Sequence, residues 1–335
     1  MFSNLLINLY FFIPAWMVKI FLFFNRDIKR KYILDPQAQL LISLFPKYDV
    51  KEIKKQDLKV FRESIEQTRR KVSVSKKPLK KIIKKDHFIG DEKSLMIREY
   101  EPYKTDNENV ILYFHGGGYV LNSVETHDDT VSYFSEKLRT KIFSLEYRLA
   151  PENKFPDALE DSLSAIRWLE SQNIPLQNIS LCGDSAGGHL AASVAHYFSE
   201  KDIKIHSQFL IYPMCDPGCN SDSQKLFSEG YFLTNEAMRW FWDCLISSES
   251  DNENHKYNLL KVNKKITVNH TFIITAGFDP LHDEAENYAS ILHNLGNSVK
   301  QLHYPSLFHG FASITKLKKA NDAVNDMLRE YKKIL

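Results

Sequence analysis

The sequence predicts an α/β fold: a mostly parallel central sheet, helices on both of its faces, and a helical cap. Three observations predict it. Short apolar runs alternate with helical stretches along most of the chain, the pattern of parallel strands joined by crossover helices. A serine flanked by glycines sits where one such run turns into a helix. The alternation is interrupted over residues 216–262 by a stretch that carries an aromatic helix.

The runs are NVILYF, KIFSLEY, NISLCGD, HSQFLIY, HTFIITAG and SVKQLHY. Between the second and third lies ALEDSLSAIRWLESQ. Its Leu159, Leu163, Ile166 and Glu170 step by four, three and four, and only the last is polar, which marks one apolar helical face. Ahead of the runs, HFIGDEKSLMIREYE reads as two strands joined by a Gly-Asp turn. Within 216–262, TNEAMRWFWDCLIS reads as the aromatic helix of a cap insertion. The expected organisation is an apolar N-terminal segment (1–25), a helical cap region (26–80), and an α/β domain (81–335) carrying the insertion at about 216–262. A chain of 335 residues is long enough for one such domain with its cap.

The N-terminal segment contains LLINLYFFIPAWMVKIFLFF, residues 5–24. As one helix it would be about 30 Å long, the thickness of a bilayer core. Asn8, Pro14 and Lys19 interrupt it: Pro14 kinks or divides a helix, and Lys19 lies near one end, where it can snorkel. Two readings follow, a membrane anchor or an apolar helix that lies on a membrane or closes the active site. A signal sequence is disfavoured, because no charged leader and no small-residue cleavage site accompany the apolar run. The basic residues Arg26, Lys29, Arg30 and Lys31 would face the cytoplasm if the helix spans. The expected location is thus the cytoplasm, or a membrane with the α/β domain on its cytoplasmic side. The lysines from Lys71 to Lys85 read first as a solvated linker and second as a surface for anionic headgroups.

Forty-four basic side chains nearly balance 42 acidic ones, which argues against a nucleic-acid partner. The four cysteines, Cys182, Cys215, Cys219 and Cys244, form no small disulfide framework. Cys215 and Cys219 stand four apart, yet no second Cys or His pair accompanies them at finger spacing, so they read as loop or core thiols.

The most informative motif is Gly183-Asp184-Ser185-Ala186-Gly187, a G-x-S-x-G pattern between the strand-like NISLC and the helix-like AGGHLAASVAHYFSE. So sharp a turn strains the serine backbone, excludes side chains at both glycine positions, and exposes the hydroxyl beside a helix N-terminus. Ser185 is the expected nucleophile. Seventy residues earlier, His115-Gly116-Gly117-Gly118 follows the strand NVILYF. Consecutive glycines let a backbone approach a ligand and aim N–H groups at it. Gly116, Gly117 and Gly118, with the N–H of Ala186, are the candidate oxyanion donors. His115 reads as a hydrogen-bonder that holds this loop.

An activated serine needs a histidine, and the histidine an acid to orient it, in the chain order Ser, acid, His. Asp279 ends the run HTFIITAG, and Asp283 and Glu284 are the alternatives; Asp283 also reads as a helix cap. His309, in a loop before Gly310, is the favoured base. His115, His127, His189, His196, His206, His255 and His270 lie too early. His282 shares the acid's loop, His293 lies on the next helix, and His303 lies within a strand.

Taken together these residues resemble the hormone-sensitive-lipase family of α/β-hydrolase esterases from about residue 34 onward. LDPQAQLLISL resembles the start of that family's cap. HGGGY, YRLAPENKFPDALED, GDSAGG, LIYP, FDPLHDE and FHGF match its later landmarks in order. The resemblance implies Ser185 as nucleophile, Asp279 as acid and His309 as base, with Gly117, Gly118 and Ala186 as oxyanion donors. It implies hydrolysis of a small carboxylic ester without metal or organic cofactor. Three rivals share the fold: a membrane lipase, an amidase or deacetylase, and a non-catalytic ligand receptor. The receptors that resemble the family lack the histidine that His309 supplies here. The apolar residues before 25 depart from the many soluble members, which have nothing comparable.

Overall fold

The computed structural model describes residues 10–11, 13, 15–22, 25–44, 50–71, 73–90 and 94–335. Its centre is a sheet of eight strands: β1 (Ile82–Ile89), β2 (Leu95–Pro102), β3 (Val110–Phe114), β4 (Lys141–Glu146), β5 (Ile179–Asp184), β6 (Ile205–Ile211), β7 (Val268–Phe278) and β8 (Val299–Phe308). They lie side by side in the order β8-β7-β6-β5-β3-β4-β2-β1. Every pairing from β8 to β4 is parallel, and β1–β2 and β2–β4 are antiparallel. Each apolar run read from the sequence is one of these strands. β3 and β5 are buried along their whole length, and β3 accordingly reads as a continuous apolar run rather than an alternating one. The turn between β1 and β2 begins at Gly90, whose φ of +77° suits glycine; residues 91–93 lie outside the described residues.

Helices cover both faces. One core contains Leu159, Leu163 and Ile166 of helix Asp157–Ser171, Leu190 and Ala191 of helix Ala186–Glu200, and Tyr288 and Leu292 of helix His282–Asn294. The predicted apolar stripe at 159, 163 and 166 is thus buried, and Glu170 is exposed. The opposite core takes Val131 and Phe134 of helix Val124–Leu138 and Val324, Met327 and Tyr331 of helix Lys318–Lys332. There the Tyr331 ring stacks on Phe209 at 4.3 Å, and its hydroxyl meets Ser207 Oγ at 2.7 Å.

The N-terminal segment differs from one long helix. Its described part contains helix Ala15–Phe21, seven residues or about 10 Å, a third of a bilayer core. No helix among the described residues is long and apolar enough to cross a membrane. Residues 5–9, 12, 14 and 23–24 of the expected span lie outside the described residues. Tyr10 is buried and donates its hydroxyl to the Gln37 carbonyl, so this segment rests on helix Pro36–Leu44. Val18 is buried, whereas Trp16, Met17 and Ile20 are exposed.

The insertion at 216–262 contains helices Asp222–Leu226 and Asn235–Leu245. Thr234 caps the second by accepting from the Ala237 N–H at 3.1 Å. Glu284, on the helix after β7, is buried beneath this insertion. Its carboxylate accepts from the Cys215 N–H at 2.8 Å and the Gln224 amide at 3.2 Å. Burial nevertheless dominates and pushes its carboxyl up to about 8.

Two outcomes are expected. Tyr331→Ala removes a stacked core ring and lowers stability by about 3–5 kcal/mol, read from urea midpoints. Glu284 holds its proton more tightly in the folded chain than in the unfolded one. Its contribution is therefore fully present below the ordinary carboxyl value of 4.5 and is lost as pH rises toward about 8. Glu284→Gln should flatten the stability slope across that window; denaturation curves with the same slope in both proteins would contradict this origin.

Candidate active site

β5, β7 and β8 run parallel, so their C-terminal ends open on the same edge of the sheet. Ser185 follows β5, Asp279 follows β7, and His309 follows β8. The structure brings the three together. His309 Nε2 lies 3.0 Å from Ser185 Oγ, and His309 Nδ1 lies 2.9 Å from Asp279 Oδ2. The second carboxylate oxygen of Asp279, which is fully buried, accepts from the Leu281 N–H at 2.8 Å. With Nδ1 donating to the carboxylate, Nε2 keeps its lone pair toward the serine hydroxyl. The Tyr212 ring packs against the imidazole with centroids 4.7 Å apart.

The turn at Ser185 is strained as the motif requires: φ is +56° and ψ −118°. A side chain on Gly187 would bring its Cβ to 1.9 Å from the Phe114 carbonyl oxygen, which explains that glycine by close approach. Helix Ala186–Glu200 starts at once, so the Ala186 N–H has no partner within the helix and stands beside the hydroxyl.

The glycine loop lies against this turn. Gly118 has φ +63°, and a Cβ there would fall 2.2 Å from the Phe241 ring. Among the described residues the N–H groups of Gly117 and Gly118 meet no acceptor, which leaves them for a ligand. Gly116 is a correction. Its N–H donates to Asp184 Oδ1 at 3.0 Å and is thereby used inside the protein. His115 is buried, stacks on Tyr147 at 4.3 Å and meets the Gly116 carbonyl at 2.9 Å. Burial lowers its basicity to about 3, so it stays neutral.

Sequence reasoning missed Asp184 as a positioning residue. The same Oδ1 that takes the Gly116 N–H also accepts from the Tyr113 hydroxyl at 2.6 Å and faces His127 Nε2 at 3.4 Å. Burial opposes its charge, yet His127 and Tyr113 together hold the carboxyl down to about 2. A buried carboxylate thus ties the serine turn to the glycine loop. The signal was its place inside G-x-S-x-G, where an acid has no role in the turn itself.

The alternative acids are engaged elsewhere. Glu284 is buried under the insertion, as described above. Asp283 is not the expected helix cap, because the helix starts at His282 with Leu281 in the cap position. Its carboxylate instead pairs with the Arg30 guanidinium (Nη2–Oδ2 2.7 Å) and takes the Ser223 N–H at 2.8 Å. His189 and His196 are buried packing residues, each hydrogen-bonded to a backbone carbonyl. The four cysteines are buried free thiols.

A cavity of about 590 Å³ opens onto Ser185 and His309. Ile53, Phe61 and Ile65 wall it from the region before residue 80, and Phe232, Leu233 and Phe241 wall it from the insertion. The arrangement can hold a carbonyl between a serine hydroxyl and the N–H groups of Gly117, Gly118 and Ala186, in a largely apolar pocket.

Residues 111–313 match the family model of the α/β-hydrolase fold. The ethyl acetate hydrolase of Pseudomonas putida is 30% identical over 230 residues, 66% of this chain and 72% of that protein. The arylesterase of Saccharolobus solfataricus is 28% identical over 284 residues, 83% of this chain and 92% of its own. Among solved structures, a fungal esterase from Rhizomucor miehei superposes with a TM-score of 0.81 at 27% identity, covering 92% of this chain and 97% of that one. The sheet order, the edge that gathers Ser185, Asp279 and His309, and these matches agree: the chain belongs to the α/β-hydrolase fold family, in its hormone-sensitive-lipase-like branch.

Proposed function

We propose that the chain is a serine carboxylic ester hydrolase that works through an acyl-enzyme on short- to medium-chain acyl esters. One observation carries the reading: the unbroken line from Ser185 Oγ through His309 to buried Asp279, with contacts of 3.0 and 2.9 Å. His309 Nε2 takes the serine proton as the oxygen attacks the ester carbonyl carbon. The Gly117, Gly118 and Ala186 N–H groups hold the resulting oxyanion. His309 returns the proton to the alkoxide oxygen as the carbon–oxygen bond breaks and the alcohol leaves. A water then repeats the sequence on the acyl-serine and releases the acid. Asp279 keeps the imidazole in the required tautomer and balances its charge. Residues 26–80 and 216–262 act as the cap that shapes the acyl pocket, and the apolar walls at Phe61, Ile65 and Phe241 support an apolar acyl chain over a charged one.

A second reading, a lipase acting at a membrane surface, is favoured by the exposed Trp16, Met17 and Ile20 on helix Ala15–Phe21. The helix would lie on the surface by that apolar face, with the catalytic domain in the cytoplasm.

A panel of p-nitrophenyl esters of rising chain length, soluble and emulsified, separates the two. Short and medium soluble esters should be the best substrates, and paired amides should be turned over far more slowly. A preference for emulsified long chains would favour the lipase, and equal amide turnover would favour an amidase. Ser185→Ala should lower kcat by about a million-fold while the melting temperature holds. Asp279→Asn should lower it by roughly ten thousand-fold. Ester turnover that persists in a folded Ser185→Ala protein would sink the assignment.

A further inference from the structure

Behind the catalytic edge, β7, β8 and the helix that follows β7 bring together three side chains that the ester chemistry does not use. His282 and Glu286 stand four residues apart on helix His282–Asn294, hence on one face of it. His303 lies on β8, paired with Thr275 of β7. His282, Glu286 and His303 each offer one ligand atom, and these atoms all lie within 4.8 Å of one another. All three residues are partly exposed.

Two features set the cluster apart from a chance meeting of polar groups. First, His282 Nδ1 and His303 Nε2 are buried nitrogens with no hydrogen-bond partner among the described residues. Such atoms cost stability unless something else satisfies them. Second, the surroundings fix the orientation of the cluster. The buried Thr275 hydroxyl donates to Glu286 Oε1 at 3.0 Å, so it accepts from His303 Nδ1 at 2.9 Å. That contact puts the His303 proton on Nδ1 and leaves the Nε2 lone pair free. The Gln301 amide donates to Glu286 Oε2 at 3.0 Å. The stacked rings of His282 and His303, 4.8 Å apart, lie beside the Tyr32 ring, 5.2 Å from His303. Neutral imidazoles and a carboxylate, with a hydroxyl fixing the tautomer of one imidazole, form the donor set and outer support that zinc takes in proteins.

We propose that His282, Glu286 and His303 form a binding site for a first-row divalent metal ion, zinc being the ion that fits best. Two imidazole nitrogens and one carboxylate oxygen supply three ligands, and water completes a four-coordinate shell. Metal–ligand distances of about 2.0–2.2 Å place the ligand atoms about 3.4 Å apart, so binding draws the side chains inward and turns the stacked imidazoles toward a common point. The ion would brace the helix after Asp279 against β8, whose end carries His309. The His282 N–H already bonds the Asp279 carbonyl at 3.1 Å, so the brace lies one hydrogen bond from the catalytic acid's backbone.

The test uses the full chain without an affinity tag, stripped with a chelator and then equilibrated by dialysis with zinc chloride. One zinc per chain should be retained. Zinc at about a hundred times its Kd should raise the melting temperature by about 4 °C. His282→Gln and His303→Gln should each abolish retention and the shift. Thr275→Val, which keeps all three ligands but removes the hydroxyl that orients two of them, should weaken binding by about 10- to 100-fold. Circular dichroism and ester turnover in chelator show whether each variant is folded. Failure of wild type to retain zinc, or equal retention in the folded His282→Gln/His303→Gln double variant, would overturn the site.

Discussion

The register of four parallel strands governs everything functional in this chain. β5, β6, β7 and β8 all run the same way and are hydrogen-bonded in sequence. Parallel pairing puts every strand's C-terminal end on one edge. It therefore gathers residues 185, 279 and 309, scattered over more than a hundred positions, without any local sequence contact. Reversal of any one of β5, β7 and β8 would send its side chain to the opposite end of the sheet. The hydrogen bonds of the candidate site are fine adjustments within a placement that the sheet has already made.

A second layer of order is electrostatic and buried. Asp184 holds the serine turn and the glycine loop in fixed relation through Tyr113, Gly116 and His127. Its own charge is opposed by burial and retained because these partners satisfy it. Glu284 is the contrasting case. It also accepts hydrogen bonds from buried donors, yet no cation faces it among the described residues, and its proton is held well above the ordinary carboxyl range. Two buried acids of similar exposure thus differ in charge state because only one has a histidine beside it.

Much of this was legible in the sequence, for physical reasons. A buried strand such as VILYF must be apolar on both faces, so it stands out. A turn that admits no Cβ at Gly187 must carry glycine, so the serine at 185 stands out too. What escaped depends on contacts between distant segments. The loss of the Gly116 N–H to Asp184 spans 68 positions. The pairing of Asp283 with Arg30 spans 253, and local helix-capping rules had claimed that carboxylate. The apolar run of residues 5–24 is long enough for one spanning helix, or for a helix kinked or divided at Pro14. The described part is a seven-residue helix, and the neighbouring Tyr10 is anchored to Gln37 by a tertiary hydrogen bond that composition does not encode.

The left-handed backbone at Ser185 has a further bearing on control. A serine held in this conformer between a strand and a helix has its hydroxyl presented by the fold itself. Under the proposed ester chemistry, the reacting hydroxyl is set as soon as the domain folds. Selection among molecules then falls to admission, to whatever the walls around Phe61, Phe232 and Phe241 let pass. Changes of diet in such a chain would begin at the doorway and leave the hinge of the reaction untouched.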